Sequence, residues 1–249
     1  MLEQDFENVH SPVHRLDPRA KVVVAICFSF VVALSDRFTA VIPSILSALF
    51  LVFLAHLPPR KVCSRLLAVN GLILVLWVFL PFTYPGETLF RVGPFQATRE
   101  GILYTLLITL KTNAIILALI ALVTTMSAFD TGRAMRRLGI PTKIVHLFLL
   151  TYRYIHVIYM EYQRITKAMK IRGFSPKTDL HTYRTYAYLV GMLFIRSYDR
   201  AERVRAAMLC RGFTGKYYDL GEFSFGHSDR ILTGLMLLGI LGISLLQWG

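Results

Sequence analysis

The chain has 249 residues, 55% of them hydrophobic and only 17% charged, with a mean hydropathy of +0.52. A soluble domain of this size carries about a quarter of its residues as charges, so composition argues against an ordinary water-soluble globule. The formal net charge of +13 comes without any nucleic-acid-binding motif, whereas cytoplasmic loops of membrane proteins are enriched in Lys and Arg for their own reason.

The first 19 residues are polar and mixed in charge, without the apolar core or small-residue cleavage site of a signal peptide. The first apolar helix is therefore expected to stay in the mature protein. Five apolar runs follow, at about 20–35, 40–56, 66–82, 101–124 and 231–248. Each approaches the roughly 20 helical residues that cross a bilayer core. Turn signals follow the first four: Ser35-Asp36, Pro58-Pro59, the Pro81 to Gly86 stretch and a Thr-rich segment at 124–127. Arg60, Lys61 and Arg65 lie between runs two and three with no acid beside them, which places that loop inside. The N-terminus is then inside, the neutral 83–100 loop outside, residues 125–230 inside and the C-terminus outside.

Residues 125–230 hold 18 Lys and Arg against 8 Asp and Glu, a net of +10. The stretch is too long for a structureless loop and too polar to span a membrane throughout. Its periodicity predicts helices over 129–138, 143–169 and 186–209, the first ending at Gly139-Ile140-Pro141. Apolar starts at 147–150 and 189–195 leave open a count of six or seven partly inserted helices. The expected fold is an all-α polytopic membrane protein with about five transmembrane helices and long cytoplasmic coupling helices. Its expected parts are 1–124, the N-terminal segment and four membrane helices; 125–230, the coupling region; and 231–249, the last membrane helix.

Within the basic stretch one motif occurs twice, at an offset of 39. Ala168-Met169-Lys170-Ile171-Arg172-Gly173-Phe174 and Ala207-Met208-Leu209-Cys210-Arg211-Gly212-Phe213 agree at five of seven positions. Gly takes the left-handed conformation that ends a helix. The Arg before it suits the negative end of the helix dipole, and the Ala four residues earlier lies one turn up on the same face. Taken singly, each tip is an ordinary helix cap. The repetition suggests one docking chemistry used twice, and a two-fold symmetric dimer is the simplest partner with two equal receptors.

These residues resemble the transmembrane T components of energy-coupling-factor (ECF) transporters, most closely the cobalt/nickel group of CbiQ and NikQ type. The resemblance rests on Ser11-Pro12-Val13-His14-Arg15-Leu16-Asp17-Pro18-Arg19-Ala20-Lys21, on Leu138-Gly139-Ile140-Pro141, on Tyr152-Arg153-Tyr154-Ile155 and on both Arg-Gly tips. The tract Arg196-Ser197-Tyr198-Asp199-Arg200-Ala201-Glu202-Arg203-Val204 looks especially like the metal group. The family signature is Ala-Arg-Gly twice; here Ile171 and Cys210 replace the Ala. The resemblance implies that Arg172, Gly173, Arg211 and Gly212, with Ala168, Met169, Ala207 and Met208, couple the chain to two cytoplasmic ATPase subunits. It further implies a metal-binding membrane substrate subunit, with room for a small accessory membrane subunit, all in a bacterial or archaeal inner membrane. The chain itself would be no enzyme and hold no cofactor: ATP and Mg would belong to the ATPases, cobalt or nickel to the substrate subunit.

The residues agree with those implied absences. There is no G-x-x-x-x-G-K-[ST] phosphate loop. Histidines 10, 14, 56, 146, 156, 181 and 227 are scattered; His10 and His14 fit an i, i+4 spacing but lie in a polar inside segment. Cys27, Cys63 and Cys210 form neither a zinc pattern nor a disulfide framework. A vitamin-type T component would share the tips. A membrane enzyme acting on lipid would need paired acids, yet Asp130, Glu161, Asp179, Asp199 and Glu202 form no D-x-x-D pair. Lys111 and Asn113 lie mid-span, where an ionisable residue needs an explanation; the expected one is a Lys turned inward onto a carbonyl or Asn partner.

Overall fold

The computed structural model describes residues 16–85, 87–92, 95–215 and 227–248. His10, His14 and residues 11–15 of the N-terminal motif lie outside that range. The described residues form eight helices and one hairpin: α1 Pro18–Leu34, α2 Phe38–Leu54, α3 Pro59–Thr83, β1 Thr88–Val92, β2 Phe95–Thr98, α4 Arg99–Val123, α5 Ala128–Arg137, α6 Thr142–Ile171, α7 Leu180–Cys210 and α8 His227–Trp248. They divide into two compact units, Met1–Ala134 with Glu222–Gly249, and Met135–Gly221.

The first unit is a helical bundle in which α2 packs most extensively on α4, with α1, α3 and α8 around that pair. The seam is made of small residues. Ala40, Ser44 and Ala48 recur every four residues along α2, and Ala114, Ala118 and Ala121 line α4; all six are fully buried. Small side chains let helix backbones approach closely, which is how helices associate where the surroundings are as apolar as their side chains. Around the seam sit Val24, Phe28, Val32, Leu51, Leu117, Ile240 and Ile243. The outer surface is the reverse of a soluble protein's: Ile26, Phe30, Phe53, Leu72, Leu74 and Phe79 are all more than half exposed. Contiguous exposed apolar surface on this scale needs an apolar environment.

Among the described residues, two helices are long and apolar enough to cross a bilayer, α3 and α4, each 25 residues with mean hydropathies of 2.2 and 2.3 over their most apolar windows. At 17 residues each, α1 and α2 rise only about 26 Å.

Polar contacts pin the bundle at two levels. Asp17 caps α1, accepting from the Arg19 amide at 2.9 Å, and Pro18 supplies the first helical residue. Lys21, 2% exposed, reaches the end of α4, where its Nζ donates to Thr125 O and Oγ1, each at 3.3 Å. A cation suits that end of a helix, so the Asp17-Pro18-Arg19-Ala20-Lys21 motif clamps the start of one helix to the end of another. Halfway along α4, Lys111 donates to Asp36 Oδ1 at 2.9 Å and to Ala33 O at 3.4 Å. The inward-turned lysine thus has its carbonyl, plus a carboxylate the sequence reading did not foresee. Asn113 instead donates to Asn70 Oδ1 at 3.2 Å.

The 83–100 segment differs from the expected loop. Thr88–Val92 and Phe95–Thr98 pair antiparallel, with a bulge between Thr88 and Phe90. The short strands are rich in Thr, Val and Phe, which favour pleated structure, but Pro85, Gly86, Gly93 and Pro94 mask that signal in sequence. The fold is therefore helical with one hairpin, not purely helical. Below the hairpin, α4 begins against the end of α3: a Cβ on Gly101 would meet Pro81 Cα at 3.0 Å and Thr98 Oγ1 at 2.8 Å.

Ala118→Leu should destabilise the bundle by about 1–3 kcal/mol through overpacking, read as a lowered melting temperature in detergent, whereas Ile26→Ala on the outer surface should change it little. For the ion pair the two halves are unequal, because Lys111 is 12% exposed and Asp36 78%. Asp36→Asn leaves a shielded ammonium with one carbonyl partner and should lower the melting temperature more than Lys111→Met, which leaves an exposed carboxylate.

Candidate functional site

The second unit carries the repeated motif, and both copies end their helices in the same way. Arg172 caps α6 and Arg211 caps α7. Gly173 and Gly212 follow at φ +84° and +77°. Phe174 N–H then donates to Met169 O at 3.1 Å and Gly173 N–H to Lys170 O at 3.0 Å. In the second copy Phe213 N–H donates to Met208 O and Gly212 N–H to Leu209 O, both at 3.0 Å. This six-to-one and five-to-two pair of bonds is the Schellman ending, which satisfies the last carbonyls of a helix and turns the chain sharply away. The Arg is therefore the cap itself, one step beyond the last turn in which the sequence placed it.

The exposure of the seven positions matches copy for copy. Ala, both variable residues, Arg and Gly are exposed, while Met and Phe are half-buried. Ala168 and Ala207 thus remain open one turn above each guanidinium, next to Met169 and Met208. Neither Arg172 nor Arg211 makes an ion pair or side-chain hydrogen bond among the described residues. An Arg fork carries five donors, suited to two-point recognition of a carboxylate. Each tip therefore presents an unsatisfied cation on a rigid stop, beside a shoulder small enough for a close partner surface.

In the first copy aromatic rings hold the Phe. Phe174 packs edge-on to Tyr186, with ring centroids 5.8 Å apart, and lies 6.4 Å from His181. It ties the first tip to the start of α7. Farther back, Arg196 on α7 pairs with Glu161 on α6.

The helix end expected at Gly139-Ile140-Pro141 is a third ending of this kind, a likeness the sequence reading did not draw. Gly139 stands at φ +88°; its N–H donates to Arg136 O at 3.3 Å, and Ile140 N–H donates to Met135 O at 3.2 Å. The residues read Ala134-Met135-Arg136-Arg137-Leu138-Gly139-Ile140, the same Ala-Met and Gly spacing with Leu in the Arg position. The signal was present; the substituted Arg hid it. Among the described residues, no three His, Cys, Asp or Glu gather into a group that could hold a metal ion.

Comparison with known proteins matches residues 10–219 to the family model CbiQ, described as cobalt transport protein. The chain belongs to this family. Similar curated proteins are energy-coupling factor transporter transmembrane proteins (EcfT). The one from Leuconostoc gelidum is 30% identical over 82% of this chain and 80% of its own length. The one from Acidaminococcus fermentans is 27% identical over 96% of this chain and 94% of its own. An uncharacterized protein of Methanocaldococcus jannaschii is 23% identical over 96% and 87%. The chain is thus a T component of the ECF transporter type, a membrane protein whose named relatives are transporter components. The family match takes in both Arg-Gly tips and ends before α8.

Gly173→Ala and Gly212→Ala meet open space at the new Cβ, so only the left-handed backbone opposes them, at about 1–2 kcal/mol per site. Amide exchange at Phe174 or Phe213 should accelerate about tenfold, with the melting temperature of the first unit unchanged. Hydrogen exchange resolved by mass spectrometry measures it.

Proposed function

We propose that this T component is the non-catalytic coupling subunit of an ATP-driven cobalt or nickel uptake transporter of the inner membrane. Arg172 and Arg211 each dock one of two cytoplasmic ATPase subunits on an acidic receptor. The observation that carries this is the pair of matched tips: same cap, same exposure pattern, and on each a guanidinium without a side-chain partner among the described residues. Residues 125–230 form the cytoplasmic coupling region, 1–124 the first four membrane helices and 231–249 the fifth. ATP and Mg act on the ATPases, and the metal is bound and carried by a separate membrane subunit. Movement of the ATPases reaches that subunit through α6 and α7. The tip at Leu138 has no cation at its cap position, and its cations Arg136 and Arg137 sit in the turn before it, so it does not present the guanidinium of the other two tips.

The family description, which names cobalt, favours a metal substrate, as does the resemblance of the 196–204 tract to the metal group. The general name of the EcfT relatives favours the second reading, a vitamin-type component serving several substrate subunits. Copurification with a metal-binding membrane protein, together with cobalt uptake by cells expressing the complex, supports the first. Copurification with several different substrate subunits and no metal uptake supports the second.

Removing one partner of a buried charge pair costs about 2–5 kcal/mol. Arg172→Ala or Arg211→Ala alone should loosen the complex, since the remaining tip keeps a high effective concentration. The double variant should lose the ATPases, and Arg→Lys should fall between because it keeps charge and loses the fork. Retention of the ATPases on a tagged membrane subunit, with insertion checked separately, is the measurement. Full retention by the double variant contradicts the proposal. Reporter fusions at Gly86, Lys177 and Gly249 test the topology, with cytoplasmic signal expected at Lys177 alone.

A further inference from the structure

Within the first unit, α4 gives way to α5 across a corner at residues 124–127, and that corner is tied down residue by residue. Thr124 N–H donates to Ile120 O at 3.3 Å and Met126 N–H to Val123 O at 3.2 Å. Thr125 Oγ1 lies 3.1 Å from Ala121 O and 3.0 Å from Leu122 O, so its proton goes back into the last turn of α4. Ser127 opens α5 with a reciprocal cap. Its Oγ accepts from the Asp130 N–H at 3.1 Å and donates to Asp130 Oδ2 at 2.8 Å, while its own N–H donates to that oxygen at 3.4 Å. Arg133 holds the other carboxylate oxygen at 2.6 Å.

Into this corner reaches Lys21 from α1, its Nζ donating to Thr125 O and to Thr125 Oγ1, each at 3.3 Å. A hydroxyl that donates one proton keeps its lone pairs for acceptance, so Thr125 is a donor toward α4 and an acceptor from α1. Asp17 and Pro18 fix the first turn of α1, from which Lys21 extends. Both partners are shut away from water, Thr125 at 8% exposure and Lys21 at 2%. A buried ammonium is a costly way to gain stability, since an apolar side chain of similar volume fills such a space without the desolvation. What the ammonium supplies is direction, because its donors must meet acceptors at set positions. We propose that Lys21 is the positioning residue of the joint between the membrane bundle and the coupling region. It holds the 124–127 corner to α1, so that a displacement of α5 moves the corner and α1 together and does not bend the chain at Thr125. The inference rests on the reading of this chain as the coupling subunit of an ATP-driven transporter.

The test is hydrogen exchange, resolved by mass spectrometry, on the full chain assembled with its ATPases, with ATP and with ADP. In the wild type, ATP should change exchange in α5 and in α1. Lys21→Met, which keeps most of the side chain and loses its donors, should retain the change in α5 and lose it in α1. Thr125→Val should weaken the α1 response, and Thr125→Ser, which keeps the hydroxyl, should preserve it. Ala118→Leu separates positioning from stability: it loosens the seam and speeds exchange along α4, yet the α1 response to ATP should remain. An α1 response that is absent from the wild type, or unchanged in Lys21→Met, overturns the proposal; should Lys21→Met fail to insert, an unchanged response in Thr125→Val does the same. Loss of the response in Ala118→Leu also overturns it, by making the effect one of stability alone. ATPases that do not stay on the wild-type chain overturn the docking reading and this inference with it, whereas the other adverse outcomes leave docking at Arg172 and Arg211 standing.

Discussion

The left-handed turn at Gly173 and Gly212 is the constraint on which the rest depends. A helix that continued past Arg172 or Arg211 would spread its positive side chains around a cylinder and could satisfy them along its own surface. Ending each helix in the Schellman geometry does two things at once. It satisfies the last carbonyls internally, so the tips need no partner to be stable. It also leaves the guanidinium exposed at the extreme end, without a side-chain partner among the described residues. The cost is confined to one backbone conformation that glycine adopts freely. A partner therefore meets a preformed cation, and little ordering remains to oppose binding.

Transmission asks for stiffness behind the tip. With 30 and 31 residues, α6 and α7 reach about 45 Å from one end to the other. The Phe174 contacts and the Arg196–Glu161 pair tie them to each other, so the two helices brace one another behind the first tip. The first unit solves a different problem. Its alanine and serine seam brings backbones together without relying on water to drive them, and two of its lysines tie α1 and the residues after it to α4. Lys21 meets the C-terminal end of that helix, and Lys111 reaches out from its midpoint.

Much of this was legible from the amino acids, and the misses have physical causes. The five apolar runs all became helices, because hydropathy reports the membrane-facing surface directly. Hydropathy is blind to helix beyond the membrane. It placed the third run at about residue 66, whereas α3 starts at Pro59 and carries Arg60, Lys61 and Arg65 in its first two turns. The start of α7 was missed for the same reason: Leu180 to Arg184 is polar and follows Pro176, yet it is helical. The hairpin was hidden because its short strands lie among Gly and Pro residues, which read as a loop in sequence. At the site, the repeated Arg-Gly endings were found by matching letters, which is why the helix end at Gly139, with Leu138 for Arg, was expected but not grouped with them. Backbone geometry groups all three, and chemistry separates one from the other two. The Asp36 partner of Lys111 lies 75 positions away, a distance no local pattern bridges.

The central claim is that two equivalent tips engage two equivalent receptors. Cys210 is exposed and adjoins Arg211; Ile171, also exposed, holds the same place beside Arg172. With Cys27 and Cys63 replaced by Ser, a short bifunctional thiol reagent on Cys210, or on Ile171→Cys after Cys210 is also replaced, probes each tip within the assembled complex. The account predicts that each single-cysteine protein cross-links to one ATPase subunit, and that the protein carrying both cross-links to two, with homologous peptides of the ATPases captured at the two tips. Cross-links from only one tip, or from neither while the complex remains assembled, would contradict it.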